Sequence, residues 1–502
     1  MVLADLLKRL PNEYSLKVKP RAYFNHSVEF KKIVTPEERV RILESVGLNI
    51  FFFPSECVTG CDLLSDSGTT TMTNEQWAAL HKGDEAYGSN KGYFILLQQI
   101  KETFGEEFSN NGVKPNAFLF HQGRPSEDAL FTLLGRLSNG LIIPSNGHFD
   151  TTQANMELNN IKPLNLFSPD LKDKNSKSDF KGNMDIERFK KLLKDYSNKI
   201  PLVYLTITNN TGGGQPVSME NIRTVSEISH LHDIPLFFDA CRFAENAWFI
   251  KNSEQGYQNK SVKEIIKEMF SYVDGFTISF KKDGLSNIGG GIFLKSEGLF
   301  VKKYPKIPDS LTDYQILKEG HPTYGGMSGR DIMTISYGLR IVTREEYLNH
   351  RMEQVKKFGQ SMNSKGIPIL NPIGGHAVYL DINRFFAGTD MKPEDFGGIA
   401  FTAVLLAAYG HRACELGNFA FGSYDKATGR EKLPEVNFVR FAIPRLRYEE
   451  QDLESVAEAV KIIYNLRNDI PRVEVTYGRD LPLRHFKAKF KFKGKYPDSL
   501  VN

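Results

Sequence analysis

The chain has 502 residues, 40% of them hydrophobic and 25% charged, which fits a globular protein of two or three domains and excludes a disordered or fibrous one. A net charge of +4 on this length gives no reason to expect a nucleic-acid or membrane partner. Four cysteines do not make a disulfide scaffold, Cys57 and Cys61 have too few neighbouring ligands for a zinc site, and no apolar run approaches the length of a membrane helix, so a cytoplasmic protein is expected.

In chain order, Pro11, Pro20, Pro36 and Pro54 break residues 1–60 into short pieces. Thr35 before Pro36 predicts a capped helix start. This segment is expected to pack as an arm on a distant part of the fold or on a partner subunit. Polar loops at 62–71 and 83–88 flank a helix expected from 72 to 80. The apolar stretch 117–120 runs into His121-Gln122-Gly123-Arg124, with a helix expected over 128–137. A strand, a glycine turn and a helix start present backbone N–H groups to a phosphate. The GxxxxGK[ST] pattern of a P-loop is absent.

From residue 140 strands and helices alternate, with strands expected at 141–144, 202–208, 234–238 and 273–278 and helices at 184–196, 218–231 and 263–269. The alternation predicts an α/β fold with a mainly parallel sheet, which binds ligands at the carboxyl ends of its strands. After about residue 345 the pattern changes to a long helix, strands at 374–381 and 438–444, and an amphipathic helix marked by Leu453, Val456, Val460 and Ile463. The expected organisation is an arm (1–60) contributing to the small domain, a large domain (61–340) and a smaller α+β domain (341–502). The basic run 484–491 alternates with apolar residues and predicts a strand with one charged face.

Asn210, Asp239 and Lys282 each fall just past an expected strand, so they should converge on one crevice. A lysine at a buried strand end is poorly solvated, and Lys281 beside Lys282 adds repulsion. Both effects free an amine to attack a carbonyl. Asp239, kept ionised by Arg242 beside it, would hold a pyridine nitrogen protonated. Phe149 offers a stacking face, and Gln122, Gly123, Arg124 and Ser279 offer phosphate donors. Arg440 offers a fork for a carboxylate. Singly these residues read as solvated charge, a turn aspartate and an interdomain ion pair. Jointly they predict pyridoxal 5′-phosphate (PLP) and a small amino-acid substrate.

The chain resembles the PLP-dependent β-eliminating lyases, the tryptophanase and tyrosine phenol-lyase family, over nearly its whole length. The resemblance is densest in Asp62-Leu63-Leu64-Ser65-Asp66-Ser67-Gly68-Thr69, Gly83-Asp84-Glu85-Ala86-Tyr87, His121-Gln122-Gly123-Arg124, Gly213-Gly214-Gln215-Pro216-Val217-Ser218, Arg242-Phe243-Ala244-Glu245-Asn246-Ala247 and Lys281-Lys282-Asp283. It implies a fold-type I PLP enzyme (aspartate aminotransferase-like), a homotetramer and a monovalent cation such as potassium. It further implies Lys282 as the Schiff-base lysine, Asp239 as the pyridine partner, Phe149 as the stacking ring, and Asn210 and Arg242 near the cofactor's phenolic oxygen. Gln122, Gly123, Arg124, Ser279 and Lys281 fall at the phosphate end. Arg440 matches the carboxylate-binding arginine and Tyr87 the tyrosine that aids leaving-group protonation. Gly68, Glu85 and Asn287 match the cation positions. Asp150 and His485 look like the tryptophanase branch, and Leu416 stands where phenol-lyases carry an arginine. His321, Cys414 and Phe280 depart from that pattern. The implied activity is β-elimination from an aromatic amino acid, tryptophan first, with tyrosine, an S-substituted cysteine or transamination as alternatives. Insertions relative to the family are expected in loops near 109–114 and 168–179.

Overall fold

The computed structural model describes residues 22–24, 27–109, 115–173 and 176–493. Pro11, Pro20 and parts of both expected insertions, 110–114 and 174–175, lie outside the described residues.

Seven strands build the larger half: β1 (Ala117–Phe120), β2 (Ile142–Ser145), β3 (Lys162–Asn165), β4 (Val203–Thr206), β5 (Leu236–Asp239), β6 (Gly275–Ser279) and β7 (Gly290–Leu294). Five form a sheet in the order β1-β7-β6-β5-β4. Strands β4, β5 and β6 are parallel, and β7 is reversed between β6 and β1. The parallel pair β2–β3 is tied alongside through Asn146, whose amide accepts from Thr206 N at 2.8 Å and donates to Thr206 O at 3.0 Å. Every residue of β4, β5 and β6 is buried, as expected of parallel strands covered on both faces. The strand period sorts the core. Leu119, Leu205, Phe238 and Ile278 join one apolar cluster, while Phe118, Tyr204, Phe237 and Ile292 join the cluster on the opposite face.

The smaller half is an antiparallel sheet of β8 (Ala377–Asp381), β9 (Cys414–Leu416) and a later central strand, with two hairpin-like pairs beside it. The pairs are β10 (Ser423–Asp425) with β11 (Arg430–Lys432), and β13 (Val473–Tyr477) with β14 (Lys489–Phe492). The central strand is β12 (Phe438–Ala442). A separate core joins this half to Leu43, Leu48, Ile50, Phe53 and Leu63 of the N-terminal segment. The helix Pro36–Ser45 opens with the Thr35–Glu38 capping box. Its buried Arg39 donates to Ala407 O and Ala408 O, satisfying carbonyls at the end of the apolar helix Gly397–Tyr409.

The basic run near the C-terminus is not one strand. Only Lys489–Phe492 pairs as β14; Arg484–Phe486 is a turn of 3₁₀ helix entered through Leu483 at φ 48°. Arg484 and His485 turn inward and are buried, because Arg484 finds Glu431 of β11 at 2.9 Å.

The two halves are locked by a buried charge network. Arg445, following β12, donates to Asp66 at 3.0 Å, Glu245 at 2.8 Å and Asp283 at 2.7 Å. Arg242 forks onto Asp66 at 2.7 and 3.0 Å, and Arg351 reaches Glu245 at 3.4 Å. Replacing Arg445 with leucine leaves the buried Asp283 without its cation and takes one from Asp66 and Glu245, so the protein should lose roughly 3–5 kcal/mol of unfolding free energy. A urea titration reads this, and an unchanged midpoint would show the network to be dispensable.

Candidate functional site

A cavity of about 260 Å³ opens at the carboxyl ends of β4, β5 and β6, between the two halves. It brings together Asn210, Asp239, Arg242, Ser279, Lys281 and Lys282 from the sheet side, Gln122, Gly123 and Arg124 from the turn after β1, Phe149 and Asp150, and Arg440 and His485 from the smaller half.

One end is built for an anion. The helix Gly123–Gly135 starts at this wall with no side chain capping its first N–H groups. Gly123 is required by close approach: a Cβ there would lie 2.8 Å from Ser279 Cβ. Gly290 of β7 is required likewise, since its Cβ would meet the Gln122 carbonyl carbon at 2.3 Å. Lys281 and Arg124 add positive charge, and burial followed by the charge of Lys282 lowers the Lys281 pKa. A helix start, two cations and a hydroxyl in one wall form a phosphate cradle.

Asp239 ends β5 and is buried on the cavity wall. The expected pairing of Arg242 with Asp239 is corrected by the structure, because the Arg242 guanidinium is taken by Asp66, which burial alone would have raised but two arginines hold well below the ordinary carboxylate range. The Asp239 neighbour that went unread is Glu127. It lies one helical turn past Gly123 and accepts from Thr152 at 2.6 Å and Tyr204 at 3.3 Å. Burial, and then the charge of Asp239, push Glu127 up to about 8. Its position in the Gln122–Glu127 turn was the available signal; nothing local showed that it faces β5.

Asn210 is oriented from the smaller half. Its Oδ1 accepts from Tyr379 at 2.8 Å and Arg440 at 3.2 Å and lies 3.1 Å from His376 Nε2. Burial and the charge of Arg242 hold His376 well below its ordinary pKa, hence neutral. Arg440 also donates to Leu64 O at 3.0 Å, and its buried Nε has no hydrogen-bond partner among the described residues.

The other end of the cavity is apolar, lined by Phe51, Leu416, Phe486 and Cys414. There His485 Nε2 lies 2.9 Å from Asp150 Oδ2, both side chains buried. Phe51 comes from the N-terminal segment, a contribution that sequence patterning did not reveal. Phe280 does not reach the cavity; it is buried in the sheet core against Phe293.

Tyr87, Glu85, Gly68 and Asn287 stand outside this cavity's wall. Tyr87 is 75% exposed, its ring against His321 and Tyr324. Glu85 is exposed beside Arg330 at 3.2 Å. Gly68 and Asn287 do meet, Asn287 Nδ2 donating to Gly68 O at 3.1 Å.

An amine, a carboxylate and a phosphate cradle at the strand ends of this sheet define a fold-type I PLP enzyme. The fold is shared with a Leishmania major threonine aldolase (TM-score 0.52, 14% identity, 80% of this chain and 99% of that one) and a Sphingomonas wittichii serine palmitoyltransferase (0.51, 12%, 81% and 88%). The β-eliminating lyase family model matches residues 62–459. The chain is 37% identical to a tyrosine phenol-lyase of Lacrimispora saccharolytica (97% of this chain, 98% of that one) and 37% identical to a tryptophanase of Hyphomonas neptunium (93% and 97%). It is 38% identical to a Salinibacter ruber tryptophanase (93% and 94%). The chain therefore belongs to the β-eliminating lyase family and is a PLP-dependent lyase.

Glu127 carries a pH consequence for the cofactor-free protein. Its ordinary pKa is 4.5, and in the folded state it is about 8. The unfolded chain gives up this proton first, so the Glu127 contribution is full below about pH 4.5 and falls as pH rises toward 8. Glu127→Gln should flatten that fall in a series of melting temperatures from pH 5 to 8; parallel curves for both proteins would contradict it.

Proposed function

We propose that the enzyme cleaves L-tryptophan to indole, pyruvate and ammonium. The observation that carries this reading is the buried Asp150–His485 pair at the apolar end of the cavity, next to Leu416. Indole is a large apolar leaving group that needs a proton at its ring carbon. A carboxyl and an imidazole held together among aromatic rings can store and deliver one.

PLP, when bound, supplies an electron sink for the pair left at the substrate's α-carbon. Lys282 would hold the cofactor at its carbonyl carbon, and its amine would serve as the base for the substrate's α-proton. Asp239 would pair with the pyridine nitrogen and favour its protonated form. Gln122, Gly123, Arg124, Ser279 and Lys281 would hold the phosphate, and Phe149 would stack on the ring. Asn210, its oxygen engaged by three neighbours, would offer its amide N–H to the cofactor's phenolic oxygen, together with Arg242. Arg440 forks onto the substrate carboxylate, using the Nε that lacks a protein partner. Asp150 and His485 protonate the leaving ring.

Tyr87 and Glu85 share one exposed loop and do not reach this cavity. Their roles in leaving-group protonation and in a potassium site with Gly68 and Asn287 thus require a second copy of the chain, in keeping with a homotetramer.

Purified, PLP-loaded protein should release indole and pyruvate from tryptophan. Phenol from tyrosine, or pyruvate only from an S-alkyl cysteine, would overturn the substrate and keep the lyase chemistry. Lys282→Ala should lose the imine absorbance and all turnover; retained turnover would overturn its role. His485→Phe and Asp150→Thr should slow indole release by about 10²–10⁴-fold. Both should spare elimination from an S-substituted cysteine, whose thiolate leaves without a ring proton. Equal losses on both substrates would remove the pair from leaving-group protonation.

A further inference from the structure

His485 divides two cavities. The residue lines the main one and also a small one of about 10 Å³, walled by Asn49, Phe51, Thr402, Glu415 and Phe490 among others. That volume is about the least that admits one water. The Nδ1 of His485 is buried and has no hydrogen-bond partner among the described residues.

Strand β9 sets the partner across this space. Cys414 and Leu416 line the main cavity, whereas Glu415 between them lines the small one, as strand alternation requires. Glu415 is buried and accepts from Phe419 N at 3.0 Å and Ala420 N at 2.9 Å, one on each oxygen. A carboxylate oxygen has a second lone pair, so both can accept again. Burial raises the Glu415 pKa, and the two N–H groups, His485 and Arg484 oppose that rise.

We propose that Glu415 is a positioning residue for His485, acting through a single water held in the small cavity. The water takes Nδ1–H of the charged imidazole and donates to Glu415, while Nε2 keeps its 2.9 Å contact with Asp150. The ring is fixed in orientation between two carboxyl side chains. This inference rests on the leaving-group role of His485 given above, and it adds the device that keeps the proton there.

The charges near His485 are Asp150 at Nε2, Glu415 on the wall of the small cavity, Arg484 on the same turn and Arg124 over the neighbouring Phe486 ring at 5.7 Å. Arg484 is engaged by Glu431, and burial pushes the Cys414 thiol up to about 12, so it stays neutral. Of these, Glu415 is the group beside the small cavity whose charge a substitution can remove without touching the main cavity wall.

The test has two arms on the PLP-loaded protein. The first is the pH profile of indole release, whose alkaline limb is assigned by its absence in His485→Phe. Glu415→Gln should move that limb down by about one pH unit, because an opposite charge near the imidazole is lost. Thr402→Ile, which fills the small cavity and leaves Glu415 in place, should move it in the same direction. Elimination from an S-alkyl cysteine should keep its profile in both variants. A limb that persists in His485→Phe, that both variants leave in place, or that is replaced by equal losses on both substrates overturns the proposal. The second arm needs no turnover: a high-resolution crystal structure should show one ordered water bridging His485 Nδ1 and Glu415, absent in Thr402→Ile. A dry cavity, or Nδ1 bonded elsewhere, overturns it. If tryptophan proves not to be the substrate, the substrate reading fails and the crystal arm still decides the role of Glu415.

Discussion

The buried contact of Arg445 with Asp66, Glu245 and Asp283 is the interaction on which the rest of the structure depends. Three carboxylates this close and this buried repel each other and lose their hydration. Only cations held among them make the arrangement stable. Arg242, Arg351 and Arg445 supply those charges, and each comes from a different stretch of chain. The network joins the loop before residue 70, the helix after β5, the segment after β6 and the start of the smaller half. Asp283 is the neighbour of Lys282, so the network also sets where the cavity's amine sits.

The cavity is divided by polarity, and the division follows from which half supplies each wall. The sheet side brings strand ends and a helix start, where backbone N–H groups and charges collect. The smaller half and the N-terminal segment bring Phe51, Leu416, Phe486 and the Asp150-facing His485. A ligand charged at one end and aromatic at the other fits this gradient. Arg440 stands at the junction, held by Asn210 and Leu64, so the two halves must be together for its guanidinium to be fixed at the cavity wall.

Much of the sheet side was legible in the sequence. The stretches around Tyr204, Phe238 and Ile278 are apolar, β-rich and short, and they alternate with helices of clear period. Once a parallel sheet is inferred, topology alone brings the residues after its strands to one edge, which is how Asn210, Asp239 and Lys282 were grouped. The smaller half was read more coarsely. The run 484–491 alternates like a strand, yet a left-handed Leu483 and the Arg484–Glu431 pair turn half of it into a buried corner. Arg242 was assigned to the nearest aspartate along the chain, whereas Asp66 presents both oxygens to it from far away in sequence.

What the sequence by itself determined is therefore local and topological: which stretches are strands and helices, and which residues lie at the carboxyl ends of the parallel strands. Hydrophobic period and strand order suffice for that. The tertiary structure alone decided the partners: Glu127 beside Asp239, Asp150 beside His485, Glu415 behind it, and Tyr87 facing outward. These depend on how loops from distant segments satisfy buried charges and fill space together. A side chain's residue type states what it can bond, and only the assembled packing states what it meets.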